Sequence, residues 1–229
     1  MSTSLIIVLT LVSGISWSIV YVDIINRGFK DKTYGMPLFA LAFNIAWEFI
    51  YGILVGQDFN LEKVIYTTWF ILDAIIIYTY FKNGHKEFPL QYQKFFIPWS
   101  VTAFVIGFAT LYFARMDLGD NSGAIYSAFG QNLMMSVLFI GMLGRRNNVD
   151  GQSMYIAIFK CLGTLAPTIQ IYVGTGSLFV LILGIGIFFY DVIYIGMLYR
   201  KFTEQRQNPF TRKPVSQVAI AGADERGFS

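Results

Sequence analysis

Four ionisable residues, Glu48, Asp73, Lys160 and Asp191, stand inside long apolar runs of this chain. An ionisable side chain at membrane depth costs several kcal/mol, so each one needs a partner, a cavity or a task. One base cannot neutralise three acids. A carboxylic acid kept neutral in a dry cavity can hand its proton to a substrate, and the cation that forms can rest against aromatic faces. That is acid-initiated carbocation chemistry. Helical spacing puts Asn44 and Tyr51 on the face of Glu48, with Trp47 beside it. Trp69 precedes Asp73 by one turn and Tyr80 follows it by two, while Phe188 and Tyr194 flank Asp191, with Gly184 leaving room for close approach. Glu48 and Asp191 are the candidate catalytic acids. Asn44, Trp47, Tyr51, Trp69, Asp73, Lys160, Phe188 and Tyr194 are candidates to bind the substrate or support the acids. For Asp73 a plainer reading is an interhelical ion pair with Lys160 that serves packing.

Other chemistries find little here. Cys161 is the only cysteine and His85 the only histidine, so an intramolecular disulfide, a Cys-rich or multi-His metal site and histidine catalysis are not expected. His85 lies in the charged stretch Lys82 to Glu87 and reads as a solvated loop residue. No Asp-Asp-x-x-Asp run for Mg²⁺ and diphosphate occurs, and Asp117-Leu-Gly-Asp120 reads as a solvated turn. Any carbocation chemistry here would therefore start by protonation rather than diphosphate loss, with no metal and no cofactor expected. Forty aromatic residues, 4 Trp, 14 Tyr and 22 Phe, suffice to line a cavity, but membrane interfaces and packing also use them.

The elements that would position these side chains are membrane spans. Of 229 residues, 55% are hydrophobic and 14% charged, with mean hydropathy +0.54, against about 25% charged in soluble domains. Apolar runs near 4–22, 35–56, 64–82, 96–114, 121–142, 153–173 and 177–199 predict an all-α bundle of seven transmembrane helices. The first run has no Lys or Arg before it and exceeds a signal-peptide core, so it reads as a retained helix. Lys and Arg gather on one side: Arg27, Lys30 and Lys32, then Lys82, Lys86 and Lys94, then Arg145 and Arg146, then six from Arg200 to Arg226. The other side holds Lys63 and Arg115. This asymmetry predicts an outside or lumenal N-terminus and a cytosolic C-terminus. It also explains the net charge of +3 without a nucleic-acid partner. Residues 1–202 are expected to form the transmembrane catalytic domain and 203–229 a disordered cytosolic tail.

The segment FKDKTYGMPLFALAFNIAWEFIYG, residues 29–52, resembles the integral-membrane terpene cyclases of fungal meroterpenoid and indole-diterpene pathways. The loop Lys32-Thr33-Tyr34-Gly35-Met36 and the run Asn44-Ile45-Ala46-Trp47-Glu48 carry the likeness. Gln131-Asn132-Leu133 with Ser136, Gly163-Thr164 and Asp191-Val192-Ile193-Tyr194 extend it over most of the membrane region. The resemblance implies a seven-helix fold without metal, and a lipophilic prenylated ring compound as substrate, often bearing a terminal epoxide. The family's two essential acids map onto Glu48 and Asp191, with Asp73 and Lys160 as supports. Glu48 would protonate the epoxide or alkene. Asp191 would orient the substrate, share the proton or accept the last one, and the roles are exchangeable if the two acids titrate as a pair.

A small proton-coupled transporter would use the same inward acids, with Pro98 and Pro167 as helix breaks. A sterol-isomerase-like enzyme would also need a buried acid and an aromatic cradle. A retinal receptor fits poorly, because the last helix has no mid-membrane Lys for a Schiff base. The bilayer is the expected environment, the endoplasmic reticulum membrane in a fungus and the plasma membrane in a bacterium. The sequence leaves the oligomeric state open.

Overall fold

The computed structural model describes residues 2–55 and 60–214. Each apolar run becomes a helix: α1 Thr3–Lys30, α2 Leu38–Phe49, α3 Leu61–Asn83, α4 Phe96–Leu118, α5 Asp120–Arg146, α6 Met154–Thr175 and α7 Leu178–Glu204. Six of them are long and apolar enough to cross a membrane. The helix carrying Glu48 is the exception. It is short, and it continues as a π-helical turn, Ile50–Leu54, closed by the Val55 N–H donating to Ile50 O at 2.8 Å. Such turns widen a helix locally and recur at functional sites.

The helix ends follow from local chemistry. Asn60 Oδ1 accepts from the Lys63 N–H at 2.8 Å, Ser153 Oγ from Ile156 at 3.1 Å and Ser177 Oγ from Val180 at 3.4 Å, each satisfying an orphan first-turn donor. Gly176 closes α6 at φ +69°, a conformation costly to any residue with a Cβ. Pro98 sits in the first turn of α4, where its missing N–H is not needed. Pro167 lies inside α6 and strips the Gly163 carbonyl of its helical donor. The Ser13 hydroxyl of α1 donates to that carbonyl at 2.8 Å, so the helix continues unbroken.

Neighbouring helices meet in the cyclic order α1, α6, α7, α5, α4, α2, α3 and back to α1, with α2 also touching α5 across the ring. The outer face is apolar: Val105, Phe189 and Ile182 are 62, 64 and 67% exposed, a surface suited to lipid rather than water. Inside, Ile24, Met36, Leu41, Phe139 and Leu198 are fully buried and fill the end of the ring that bears the basic loops.

Those loops are tied together. Arg146 donates to Glu87 Oε2 at 2.8 Å, to Tyr34 O at 2.8 Å and to Asp150 O at 3.0 Å, and lies over the Tyr34 ring at 4.3 Å. Thr33 also donates to Glu87. Burial, and secondarily the carboxylate of Asp31, pushes Asp150 above the usual range for an aspartate. The segment expected as a free tail from 203 departs from that reading in its first part. Residues 203 and 204 finish α7, Gln207 pairs with Pro214, and Arg212 donates to Asp31 Oδ2 at 2.7 Å, because loop acids supply a counter-charge. Residues 215–229 of that expected tail lie outside the described residues.

Candidate active site

Two buried polar clusters form, on opposite sides of the ring. On α1, α2 and α3, the Tyr21 hydroxyl donates to Glu48 Oε1, and the Asn44 amide nitrogen donates to the same oxygen at 2.9 Å. That nitrogen also donates to Asp73 Oδ2 at 2.9 Å and to the Tyr21 hydroxyl. An amide NH₂ carries two hydrogens, so three acceptors draw tightly around Asn44. Glu48 is 1% exposed and Asp73 fully buried. Both donors go to Oε1, and Glu48 Oε2 has no hydrogen-bond partner.

On α5, α6 and α7, the Lys160 ammonium donates to Asp191 Oδ1 at 2.7 Å and to Ser136 Oγ at 2.6 Å. Their side chains are 0 and 1% exposed, which makes this a buried ion pair. The expectation that Lys160 pairs with Asp73 is therefore corrected. Lys160 projects from α6 toward α7, which the ring order makes its neighbour, whereas α3 packs on α1 and α2.

Between the clusters lies a cavity of about 170 Å³ lined by Trp17, Tyr21, Asn44, Trp47, Glu48 and Tyr66 among others. Trp69 and Phe129 complete its aromatic wall, with Gln131, Asn132 and Thr164 facing α2 from α5 and α6. The aromatic rings interlock: Trp47 and Tyr66 centroids are 4.7 Å apart, Tyr66 and Trp69 5.8 Å, Tyr21 and Trp69 5.9 Å. Indole N–H groups fix two of them, Trp47 by donating to Ala124 O at 3.0 Å and Trp69 by donating to Ser18 Oγ at 3.2 Å. Gly163 makes room for Trp17, whose Cδ1 would lie 2.8 Å from any Cβ there.

Asp191 does not line this cavity; it stands one layer behind. The Asn132 amide donates to Thr164 Oγ1 at 3.0 Å, Thr164 donates to Lys160 O at 3.2 Å, and Ser136 donates to Asn132 O at 3.0 Å. The wall residues thus rest on the groups that hold the ion pair.

Of the residues singled out from sequence, Asn44, Trp47, Glu48 and Trp69 meet at the cavity, with Asp73 directly behind Asn44. Tyr51 sits above, toward the N-terminal end of α1. Tyr194 is buried elsewhere, its hydroxyl donating to Gln152 Oε1 at 3.0 Å and its ring 5.5 Å from Phe139. Phe188 departs from expectation: it is 44% exposed on the outer face. Three residues from Asp191 spans about 300° of helix, which leaves the larger Phe188 ring at the edge of the inward stripe. The sequence reading passed over Tyr21, Trp17 and Tyr66. Trp17 and Tyr21 are four apart on α1, and Tyr66 precedes Asp73 by seven, so each shared a helical face with a recognised residue or with the other. Among the described residues, no group of three His, Cys, Asp or Glu side chains is placed to hold a metal ion.

A ring of apolar helices around an aromatic chamber with one buried acid in its wall defines an integral membrane protein with an enclosed interior cavity. The sequence places it more closely. Residues 2–175 match the family model of Pyr4-like transmembrane terpene cyclases, and the chain belongs to that family. It is 30% identical over 162 residues to the Pyr4-family terpene cyclase mfmH of Annulohypoxylon moriforme, covering 69% of this chain and 66% of the relative. It is 31% identical over 170 residues to the terpene cyclase pyr4 of Aspergillus fumigatus, covering 71 and 68%. It is 30% identical over 162 residues to asnovolin H synthase nvfL of Aspergillus novofumigatus, covering 69 and 65%. The match thus spans about two thirds of the relatives' own length. No solved structure matches the fold.

Proposed function

We propose that this chain is a membrane terpene cyclase in which Glu48 protonates the epoxide or terminal alkene of a prenylated ring compound. The observation that carries the reading is Glu48 itself: a carboxyl in the wall of an aromatic cavity, with both of its N–H and O–H donors on Oε1, no such donor on Oε2, and the Asp73 carboxyl close enough to share a proton with it. Oε2 is the oxygen that would hold the transferable proton. Protonation at an epoxide oxygen breaks its bond to the more substituted carbon, and the neighbouring double bond closes on that carbon. Each closure moves the positive charge along the chain until a proton is lost. Trp17, Trp47, Tyr66 and Trp69 would face those cations and keep water away.

Asp73 shares Asn44 with Glu48 and would help return a proton to it after each turnover. Asp191 acts as a positioning residue in this scheme. Paired with Lys160, it holds the α5–α6 wall opposite the acid. The exchange of roles between Glu48 and Asp191 loses support, since Asp73 and not Asp191 is the acid joined to Glu48. The chain would span the bilayer seven times with its N-terminus outside or lumenal, in the endoplasmic reticulum membrane of a fungal cell.

Mass spectrometry of membranes expressing the chain, supplied with epoxyfarnesylated and geranylgeranylated aromatics, tests this directly. Wild type should convert a panel member to an isomer of equal mass and altered retention, and Glu48→Gln should not at equal expression. Label accumulating in vesicles without any chemical change would favour a transporter instead.

A further inference from the structure

The chamber beside Glu48 is too small for a whole prenylated aromatic, since sites for drug-sized molecules run to about 300–1,000 Å³. It does not end there. A second space of about 510 Å³ shares Ser13, Tyr66, Trp69, Ala124, Ile125 and Pro167 with it, and runs to the end of the ring that carries the N-terminus. The two differ in lining. Beside Glu48 the walls are aromatic; the outer space adds Thr10, Glu62, Asp120, Asn121 and Gln170. Toward the basic loops the interior is filled by fully buried apolar side chains. An elongated amphiphile therefore fits in one orientation only.

We infer that this vestibule is a binding subsite for the ring end of the substrate, which enters tail first and keeps a neutral, oxygen-bearing head among Thr10, Asn121, Gln170 and Tyr51. The inference rests on the cyclase reading above and adds to it the orientation and the class of head. Two independent features support it. Tyr51 is 1% exposed and lines the vestibule, and its hydroxyl has the Ser127 side chain beside it but makes no well-formed hydrogen bond. Gly123 leaves it room, for any Cβ there would lie 2.9 Å from that hydroxyl. A buried hydroxyl so weakly held is costly, and a ring oxygen of the substrate would give it a full hydrogen bond. The charged groups lining the vestibule, among the described residues, are Glu62 and Asp120. Asp120 is paired with Arg115 at 2.6 Å, and Glu62 remains to repel a carboxylate or phosphate head. A phenol or other neutral hydroxylated ring meets no such penalty.

Cysteine protection reads the orientation without relying on turnover. Cys161, the only native cysteine, is buried, so one introduced cysteine is the reporter. Membranes carrying Asn121→Cys, Gln170→Cys or, at the opposite end, Lys86→Cys are labelled with a water-soluble maleimide. The probe is a prenylated phenol with a saturated tail, which cannot cyclise. At about ten times its Kd the probe should slow labelling of the two vestibule cysteines about tenfold and leave Lys86→Cys untouched. Protection at Lys86→Cys alone would reverse the orientation. No protection anywhere, in membranes whose unsubstituted chain converts the matching epoxide, would remove the subsite while leaving the cyclase reading in place. For the class of head, Glu62→Gln should narrow the preference for a phenol over a carboxylate of equal tail length by about fivefold, the scale of one exposed charge a few ångströms away. An unchanged preference would overturn that part.

Discussion

The two buried clusters use similar residues for different ends. Around Glu48, two carboxyls share one amide donor and, among the described residues, no cation pairs with either, so the site is held by hydrogen bonds; Glu48 Oε2 and Asp73 Oδ1 lack a partner, as Asp191 Oδ2 does in the other cluster. Around Asp191, a lysine meets the acid directly at 2.7 Å, and the charge is neutralised within the wall. A buried acid beside a lysine has a counter-ion to balance its charge. An acid in an apolar setting with no counter-ion favours the neutral form that a proton donor needs. The difference lies in the company each acid keeps, not in its depth: both are 1% exposed.

The sharpest way to break this contrast is Glu48→Gln. The amide keeps the shape and still accepts from Tyr21 and Asn44 through its carbonyl, but it has no acidic proton. Turnover should fall by about 10²–10⁴-fold, the range of general acid catalysis, while the melting temperature stays close to wild type in a detergent thermal-shift assay. A variant that cyclised normally would show that the proton comes from elsewhere.

Asp191→Asn should behave in the opposite manner. Lys160 would be left charged and unpaired in a site that is 0% exposed, costing about 3–5 kcal/mol of stability. Lys160→Met alone should cost a similar amount. The double variant, Lys160→Met with Asp191→Leu, removes both charges and should recover most of the loss, as replaced buried ion pairs often do. If the double variant also regains turnover, the pair positions the wall and nothing more. If it folds but stays inactive, the charge of the pair acts on the reaction.

Tyr21→Phe is a finer test of the Glu48 side. It removes one of two donors to Oε1 without opening a large cavity. A hydrogen bond to a charged group contributes about 1.5–3 kcal/mol, and part of that should appear as a roughly tenfold drop in kcat, with KM little changed. Equal loss in KM would mean that Tyr21 serves substrate binding rather than the acid.

What the sequence made legible follows the same division. Seven apolar runs gave seven helices, because hydropathy over a span is a property of the chain itself. The acids at depth were equally visible, since so few charges interrupt those runs. Pairing was not. The sequence reading gave Lys160 to Asp73, and only the packing order, with α6 against α7 and α1, gives it to Asp191. Tyr21 escaped notice for a related reason. A tyrosine in an apolar helix is common, and its role depends on which helix lies opposite. Phe188 was misplaced because a position three residues from Asp191 shares its face only approximately. The early part of the tail, Gln207 to Pro214, reads as polar and unpatterned, and its order comes from Arg212 reaching Asp31, 181 positions away.

The smallest effect should come from a residue that touches neither cluster. Ser13 lies on the wall between the chamber and the vestibule, and its hydroxyl donates to the Gly163 carbonyl that Pro167 leaves without a helical donor. Ser13→Ala would bury that carbonyl unpaired, at a cost of about 1–3 kcal/mol. The same change removes one polar group from the passage and would leave the Glu48 cluster intact. Stability should fall modestly, turnover at saturating substrate should hold, and Ser13→Thr should restore the melting temperature. A loss of kcat in Ser13→Ala, without loss of stability, would mean that the Ser13–Gly163 contact positions Thr164 against Lys160. The two clusters would then be coupled through α6 rather than independent.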